Sequence, residues 1–151
     1  MLKSWKVWAA AVILVLAVGS RPLLAADQTA YALVDKLAQF FDTTAKSATI
    51  NADDIDRSLN DLYAQANTAK WGHQIDDQFY NRYTRMLRIF KLATSTEDQS
   101  EVLHPLAQQE YVAFVKDVTG KKIDGEVEMP VLAQAITQEL ESMKKSLDQK
   151  K

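Results

Sequence analysis

The chain has 151 residues, of which 18 are basic, 20 are acidic and none is cysteine. The slightly acidic balance argues against nucleic acid as the main partner, and the lack of cysteine excludes disulfides, thiol catalysis and cysteine-ligated metals. Four glycines and three prolines provide little of the punctuation that separates the strands of a sheet, so the composition favours an all-α fold.

Residues 1–26 have the pattern of a cleavable signal peptide. Two lysines precede an uncharged apolar run over residues 7–18. This run is shorter than the roughly 20 residues that a membrane-spanning helix needs, so a retained anchor is the minor alternative. The small residues at its end predict cleavage before Asp27 or one residue earlier. Residues 27–151 are then one domain of an exported protein, periplasmic or extracellular, with no membrane contact after cleavage.

The predicted mature chain is more acidic than the whole sequence. Removing three basic residues with the signal segment leaves 15 basic against 20 acidic residues, a net charge of about −5. The remaining 125 residues are enough to bury a core without cofactors or disulfides. An envelope or secreted protein, rather than nucleic acid, is the expected partner.

Apolar residues recur at intervals of three and four along most of this domain, which predicts amphipathic helices. The first covers about residues 28–45. The second begins after Asn51, a candidate N-cap, and runs to about Lys70, with Gly72 as a left-handed stop. Its predicted buried stripe consists of Ile55, Leu59, Leu62, Tyr63 and Ala66.

The third stretch, residues 75–92, is predicted to be the core helix. Asp76 and Asp77 fall in its first turn and basic residues follow, which is the order of charge that the helix dipole favours. Its apolar arc contains Ile75, Phe79, Tyr80, Tyr83, Met86, Leu87, Ile89 and Phe90.

Pro105 complicates the following segment. Either residues 97–103 form a short helical piece and Pro105 begins a new helix, or one helix kinks near His104. The next helical face ends at Gly120 and contains Leu106, Ala107, Tyr111, Phe114, Val115 and Val118. After a loop over residues 121–129, Pro130 begins the last helix. Together these patterns predict a compact bundle of four long helices plus a short helical piece before Pro105.

Two histidines are the weak candidates for a metal site. His73 could act with Asp76 and Asp77, and His104 could act with Glu110. Neither histidine belongs to a paired motif, and the two aspartates already have a role at a helix start. No metal site is therefore predicted.

A haem site is the second possibility, because helical bundles can hold haem between a histidine and a methionine. His73 or His104 with Met86 would be the pair. Met86 lies on the predicted core face, where methionine usually fills space, and no covalent attachment motif is present. No cofactor is predicted.

Three arginines give the strongest hint of a partner surface. Arg82, Arg85 and Arg88 recur every three residues along the core helix, and Trp71 lies in the loop that feeds it. Arginine and tryptophan often carry interface energy, so these four residues are the predicted partner-binding site, suited to an acidic protein. The alternative is that acids from adjacent helices neutralise all three arginines.

No pattern of catalytic residues is present. The sequence has no nucleophile elbow and no phosphate-binding glycine loop. We therefore predict a small exported helical protein that acts by protein–protein interaction, as an adaptor, inhibitor, immunity-type protein or chaperone. One alternative is a carrier of a small apolar ligand or haem within the bundle, and another is a metal-dependent enzyme that uses His73, His104 and nearby acids.

Overall fold

A computed structural model describes residues 25–46, 51–94 and 105–150, and within these ranges the chain is helical with no strand. The predicted all-α fold is confirmed for this part of the chain. Its helices are α1 (Ala25–Lys46), α2 (Ala52–Trp71), α3 (Asp77–Ala93), α4 (Gln108–Thr119) and α5 (Met129–Gln149), with a 3-10 turn (Pro105–Ala107) that leads into α4.

Four of these helices are long and α4 is shorter, with 12 residues. The extra helix therefore follows Pro105, whereas the predicted short piece before Pro105 lies outside the described residues. The predicted signal segment also lies outside them, except that Ala25 and Ala26 begin α1. None of the helices in the described ranges is both long enough and apolar enough to cross a bilayer.

The helix α3 packs against α2 and also contacts α1. α1 lies against α2 and α5, α2 lies against α3, and α4 lies against α5. From α3, the Tyr83 hydroxyl donates to the Leu33 carbonyl of α1 at 3.0 Å. The Phe90 ring meets Phe40 and Phe41 of α1 edge-on, with ring centroids 5.2 and 5.5 Å apart. Every residue of the predicted apolar arc of α3 is buried except Tyr80, which is half-buried.

Local signals in the sequence set most of the helix ends. The Asn51 side chain accepts hydrogen bonds from the backbone N–H groups of Asp53 and Asp54 at 3.0 and 3.4 Å, so the predicted N-cap of α2 is confirmed. Gly120 ends α4 in the left-handed conformation, with φ of 72°. Pro130 lies in the first turn of α5, where its missing N–H costs no hydrogen bond.

The predicted left-handed stop at Gly72 is wrong. Gly72 has φ of −79°, and the left-handed residue is His73, with φ of 55°. The N–H of His73 bonds to the Lys70 carbonyl, and the N–H of Gln74 bonds to the Ala69 carbonyl, which is the Schellman arrangement. Because the helix runs through Trp71, the position that needs a left-handed backbone falls one residue after the glycine.

Two apolar residues do not lie where periodicity placed them. Leu106 is 89% exposed, because it belongs to the 3-10 turn and the spacing of an α-helix does not apply to it. Tyr63 is 45% exposed, because it lies at the edge of the buried stripe of α2, facing the junction with α3. Ala69 extends that stripe instead.

Candidate functional site

Arg82, the first arginine of the predicted binding row, joins α3 to α5. Its Nε lies 2.5 Å from Glu139 Oε1, and its Nη2 donates to Ser142 Oγ at 3.0 Å. The Arg82 side chain is 27% exposed and the Glu139 side chain is 11% exposed. This pair is therefore largely shielded from water, and Arg82 has little surface left to offer a partner.

The other two arginines join α3 to α4. Arg85 Nη2 lies 2.8 Å from Asp117 Oδ2, and its guanidinium also lies 5.4 Å from the centre of the Phe114 ring. Arg88 Nε lies 3.1 Å from Glu110 Oε2. Arg88 is the most exposed of the three, with 63% of its side chain accessible.

Each arginine of the row thus has an acidic neighbour on α4 or α5. This arrangement matches the alternative that adjacent acids neutralise the row. Ion pairs as exposed as that of Arg88 contribute roughly 0–1 kcal/mol, so such an arginine can exchange partners at little cost. Partner binding by the row stays a prediction, and Arg88 is the most accessible member for it, since Arg85 is 33% exposed.

Trp71, the fourth predicted binding residue, is 83% exposed at the end of α2. It belongs to α2, whereas Arg82 extends from α3 to α5. On α3, the Tyr80 hydroxyl donates to Asn67 Oδ1 of α2 at 2.6 Å, so Tyr80 marks the side of α3 that faces α2. Arg82 follows two residues later, about 200° around the helix, and faces α5 instead.

The candidate metal ligands have other partners. Asp76 is the N-cap of α3, where Oδ1 accepts from the Phe79 N–H at 2.7 Å and Oδ2 accepts from Lys150 Nζ at 2.5 Å. The hydrogen bond from Lys150 contributes most, and the one from the Phe79 N–H adds to it. Together they hold the pKa of Asp76 below its usual value. Asp77 lies 3.6 Å from Lys70 Nζ.

No group of three or more potential ligands converges on a metal position within residues 25–46, 51–94 and 105–150. His73 is exposed on the turn between α2 and α3, and His104 lies outside the described residues. Met86 is buried in the core. The exposed His73 and the buried Met86 are therefore not placed as a pair of haem ligands.

A groove of about 580 Å³ runs along the outer junction of α2 and α3. It is lined by Leu59, Asn60 and Tyr63 of α2 and by Asn81, Thr84, Arg85, Leu87, Arg88 and Lys91 of α3. A second depression of about 220 Å³ shares Arg88 and Lys91 with it and adds Ile55 and Leu92 to the lining. We refer to these two depressions together as the α2–α3 groove.

The groove combines an apolar floor with a basic rim. Leu59 and Leu87 are buried beneath it, and Arg85, Arg88 and Lys91 stand along it. Tyr63, which the sequence placed in the core, is its exposed aromatic residue. The signal for this surface was present in the sequence, since Tyr63 carries a hydroxyl at the edge of an otherwise aliphatic stripe.

A smaller pocket of about 350 Å³ lies where the α2–α3 turn meets the start of α1 and the end of α5. Its apolar wall contains Ala30, Ile75, Phe79 and Leu147. Its two charged groups, Asp76 and Lys150, are bonded to each other across it.

The fold and the groove together define a small all-helical protein with a basic, partly apolar surface groove. No protein-family model, curated protein or solved structure matches this chain.

Proposed function

We propose that this chain is a small exported protein that acts by binding another protein, and that the α2–α3 groove is its contact surface. The observation that supports the proposal is an exposed tyrosine above an apolar floor, beside a row of cations, on a chain whose net charge is −2. Protein interfaces combine an apolar, aromatic centre with a polar rim in the same way.

The exposed tyrosine would supply affinity, because the floor residues are already buried and have little surface left to cover. Tyr63 is 45% exposed, and Leu59 and Leu87 lie directly beneath the groove. Tyrosine is among the residue types that most often carry binding energy when an interface buries them. Covering Tyr63 would remove from water an aromatic surface that the domain leaves accessible.

The cations would supply orientation and specificity. Arg88 and Lys91 have 63% and 58% of their side chains exposed. Their partners are acids of the same domain, Glu110 at 3.1 Å and Asp56 at 3.7 Å. Exposed pairs of this kind are weak, so a carboxylate of a binding partner can replace the internal acid.

The test compares three forms of the protein as bait for an envelope extract. The groove variant carries Tyr63→Ala, Arg88→Gln and Lys91→Gln. The control variant carries Trp71→Ala, Arg57→Gln and Lys116→Gln, so it loses the same charge and also one exposed aromatic residue. We expect the wild type and the control variant to capture the same partner protein, and the groove variant to fail to capture it.

Thermal unfolding followed by circular dichroism checks that all three forms are folded. Equal capture by three folded forms would overturn the proposed surface. Loss of capture by the control variant alone would move the contact surface to Trp71, the exposed aromatic residue of the original prediction.

A further inference from the structure

We propose that the partner presents an acidic amphipathic α-helix to the α2–α3 groove. This inference rests on the proposed function and specifies the chemistry of the segment that binds.

The groove has the length of a short helix. Its two depressions share Arg88 and Lys91 and extend along α3 from Asn81 to Thr94. At 1.5 Å per residue this distance is about 20 Å, which matches between three and four turns of a bound helix. Tyr63 and Leu92, at opposite ends of the groove, are the apolar residues that keep accessible surface for such a helix to cover, above the buried Ile55 and Leu59.

The walls favour a helix over an extended peptide. Both walls are α-helices, whose backbone N–H and C=O groups are bonded within the helix, and no strand edge occurs in the described ranges. An extended peptide would have to satisfy its backbone with a few side chains such as Asn60 and Thr84. A helix brings its own backbone hydrogen bonds and needs only side-chain contacts.

The basic residues of the lining favour a bound helix that carries acidic residues on either side of its apolar face. Arg85, Arg88 and Lys91 line the groove with one acid, Asp56, while the acids paired with Arg85 and Arg88 belong to α4 and lie outside the lining. The pairs of Arg88 and Lys91 are exposed, so a carboxylate of the bound helix can replace the internal acid. A helix with leucines on one side and glutamates beside them would place its carboxylates over these three cations. A helix flanked by lysines would meet like charge at the same places.

Three capped, fluorescently labelled synthetic peptides of about 15 residues test the inference. The first has leucines at helical spacing flanked by glutamates, the second replaces the glutamates by lysines, and the third is the glutamate peptide with a central proline. Fluorescence anisotropy measures binding to the wild type, to Arg88→Gln/Lys91→Gln and to the charge-matched control Arg57→Gln/Lys116→Gln. Circular dichroism follows the helicity of the bound peptide.

We expect the glutamate peptide to gain helicity and to bind at least about tenfold more tightly than either other peptide. Its affinity should fall several-fold when salt rises from about 50 to about 500 mM, and it should fall about fivefold in Arg88→Gln/Lys91→Gln but not in Arg57→Gln/Lys116→Gln. Equal binding of the glutamate and lysine peptides, equal binding of the proline peptide, or no saturable binding of the glutamate peptide would each overturn the inference. If the peptides fail while the groove variant still loses its captured protein, the helix inference falls and the proposed function stands.

Discussion

Two fully buried tyrosines, Tyr83 and Tyr111, differ in one hydrogen bond. The Tyr83 hydroxyl donates to the Leu33 carbonyl at 3.0 Å. The Tyr111 hydroxyl is buried with no hydrogen-bond partner among the described residues. A buried polar group without a partner costs free energy that a bonded one largely recovers. The two hydroxyls should therefore respond differently to removal.

Replacing each tyrosine by phenylalanine measures that difference. We expect Tyr83→Phe to lower the free energy of unfolding by about 1 kcal/mol, because a buried hydrogen bond is lost. Tyr111→Phe should be neutral or stabilising, because it removes a hydroxyl that loses its hydrogen bonds to water when the chain folds. Urea unfolding of the two variants provides the comparison, and a loss at Tyr111 as large as that at Tyr83 would contradict it.

At the scale of elements, the start of α2 depends on one side chain. Asn51 accepts two backbone N–H groups that would otherwise lack partners. Asn51→Ala should therefore lower the free energy of unfolding by about 1 kcal/mol. The matched control is Asn60→Ala, an exposed site in the middle of the same helix, where alanine should be neutral or slightly stabilising. Equal losses in the two variants, measured by thermal unfolding, would rule out the cap as the cause.

The ion pairs that join α3 to its neighbours should contribute unequally. Arg82→Gln leaves Glu139, whose side chain is 11% exposed, without its cation, so we expect a loss of about 2–3 kcal/mol. Arg88→Gln breaks an exposed pair and should cost less than about 1 kcal/mol.

The double variant Arg82→Gln/Glu139→Gln is the control for the Arg82 result. Removing the stranded carboxylate should recover part of the stability lost in Arg82→Gln, as measured by urea unfolding. No recovery would show that Arg82 acts through packing of its side chain rather than through its charge.

The helices could be predicted from the sequence because burial repeats with the period of each helix. The stripes of α1, α3 and α5 follow residues three and four apart, and each lies in the core. The N-cap at Asn51 could be predicted because its partners are two and three residues away. Local spacing carries this information without reference to the rest of the fold.

The candidate site could be predicted only in part. Arg82 meets Glu139, which lies 57 residues further along the chain, and nothing in a local pattern pairs two such residues among 20 acids. The groove arises from the packing of α2 on α3. In this packing Tyr63, at the edge of the buried stripe of α2, stays exposed and lines the groove. Gly72 is not the left-handed stop because α2 continues through Trp71, and sequence patterns place a helix end only to within one or two residues.

For the molecule as a whole, the buried tyrosines predict how stability changes at alkaline pH. Burial raises the pKa of Tyr111 to about 12, and it raises the pKa of Tyr83 still further. In the unfolded chain both would lose a proton near pH 10. Their contribution to the free energy of unfolding is therefore complete below about pH 10. It is lost as pH rises toward their pKa values in the folded protein.

The free energy of unfolding should thus fall as pH rises above about 10. The free energy of unfolding of Tyr111→Phe should fall less steeply with pH than that of the wild type, because one of the two tyrosines no longer titrates. Urea unfolding at a series of pH values measures both slopes. Parallel slopes would show that Tyr111 does not contribute to the loss.

The contact between the first and last helices makes the described fold a closed arrangement. The Tyr31 hydroxyl of α1 donates to the Asp148 carboxylate of α5, and Ala30 and Leu147 line the same pocket. A linker of a few residues could therefore join residue 150 to residue 27, while new ends are opened in the exposed loop at Gly125. Such a circular permutant should keep the same five helices, because their packing depends on contacts between neighbours in space and not on the order in which the chain visits them.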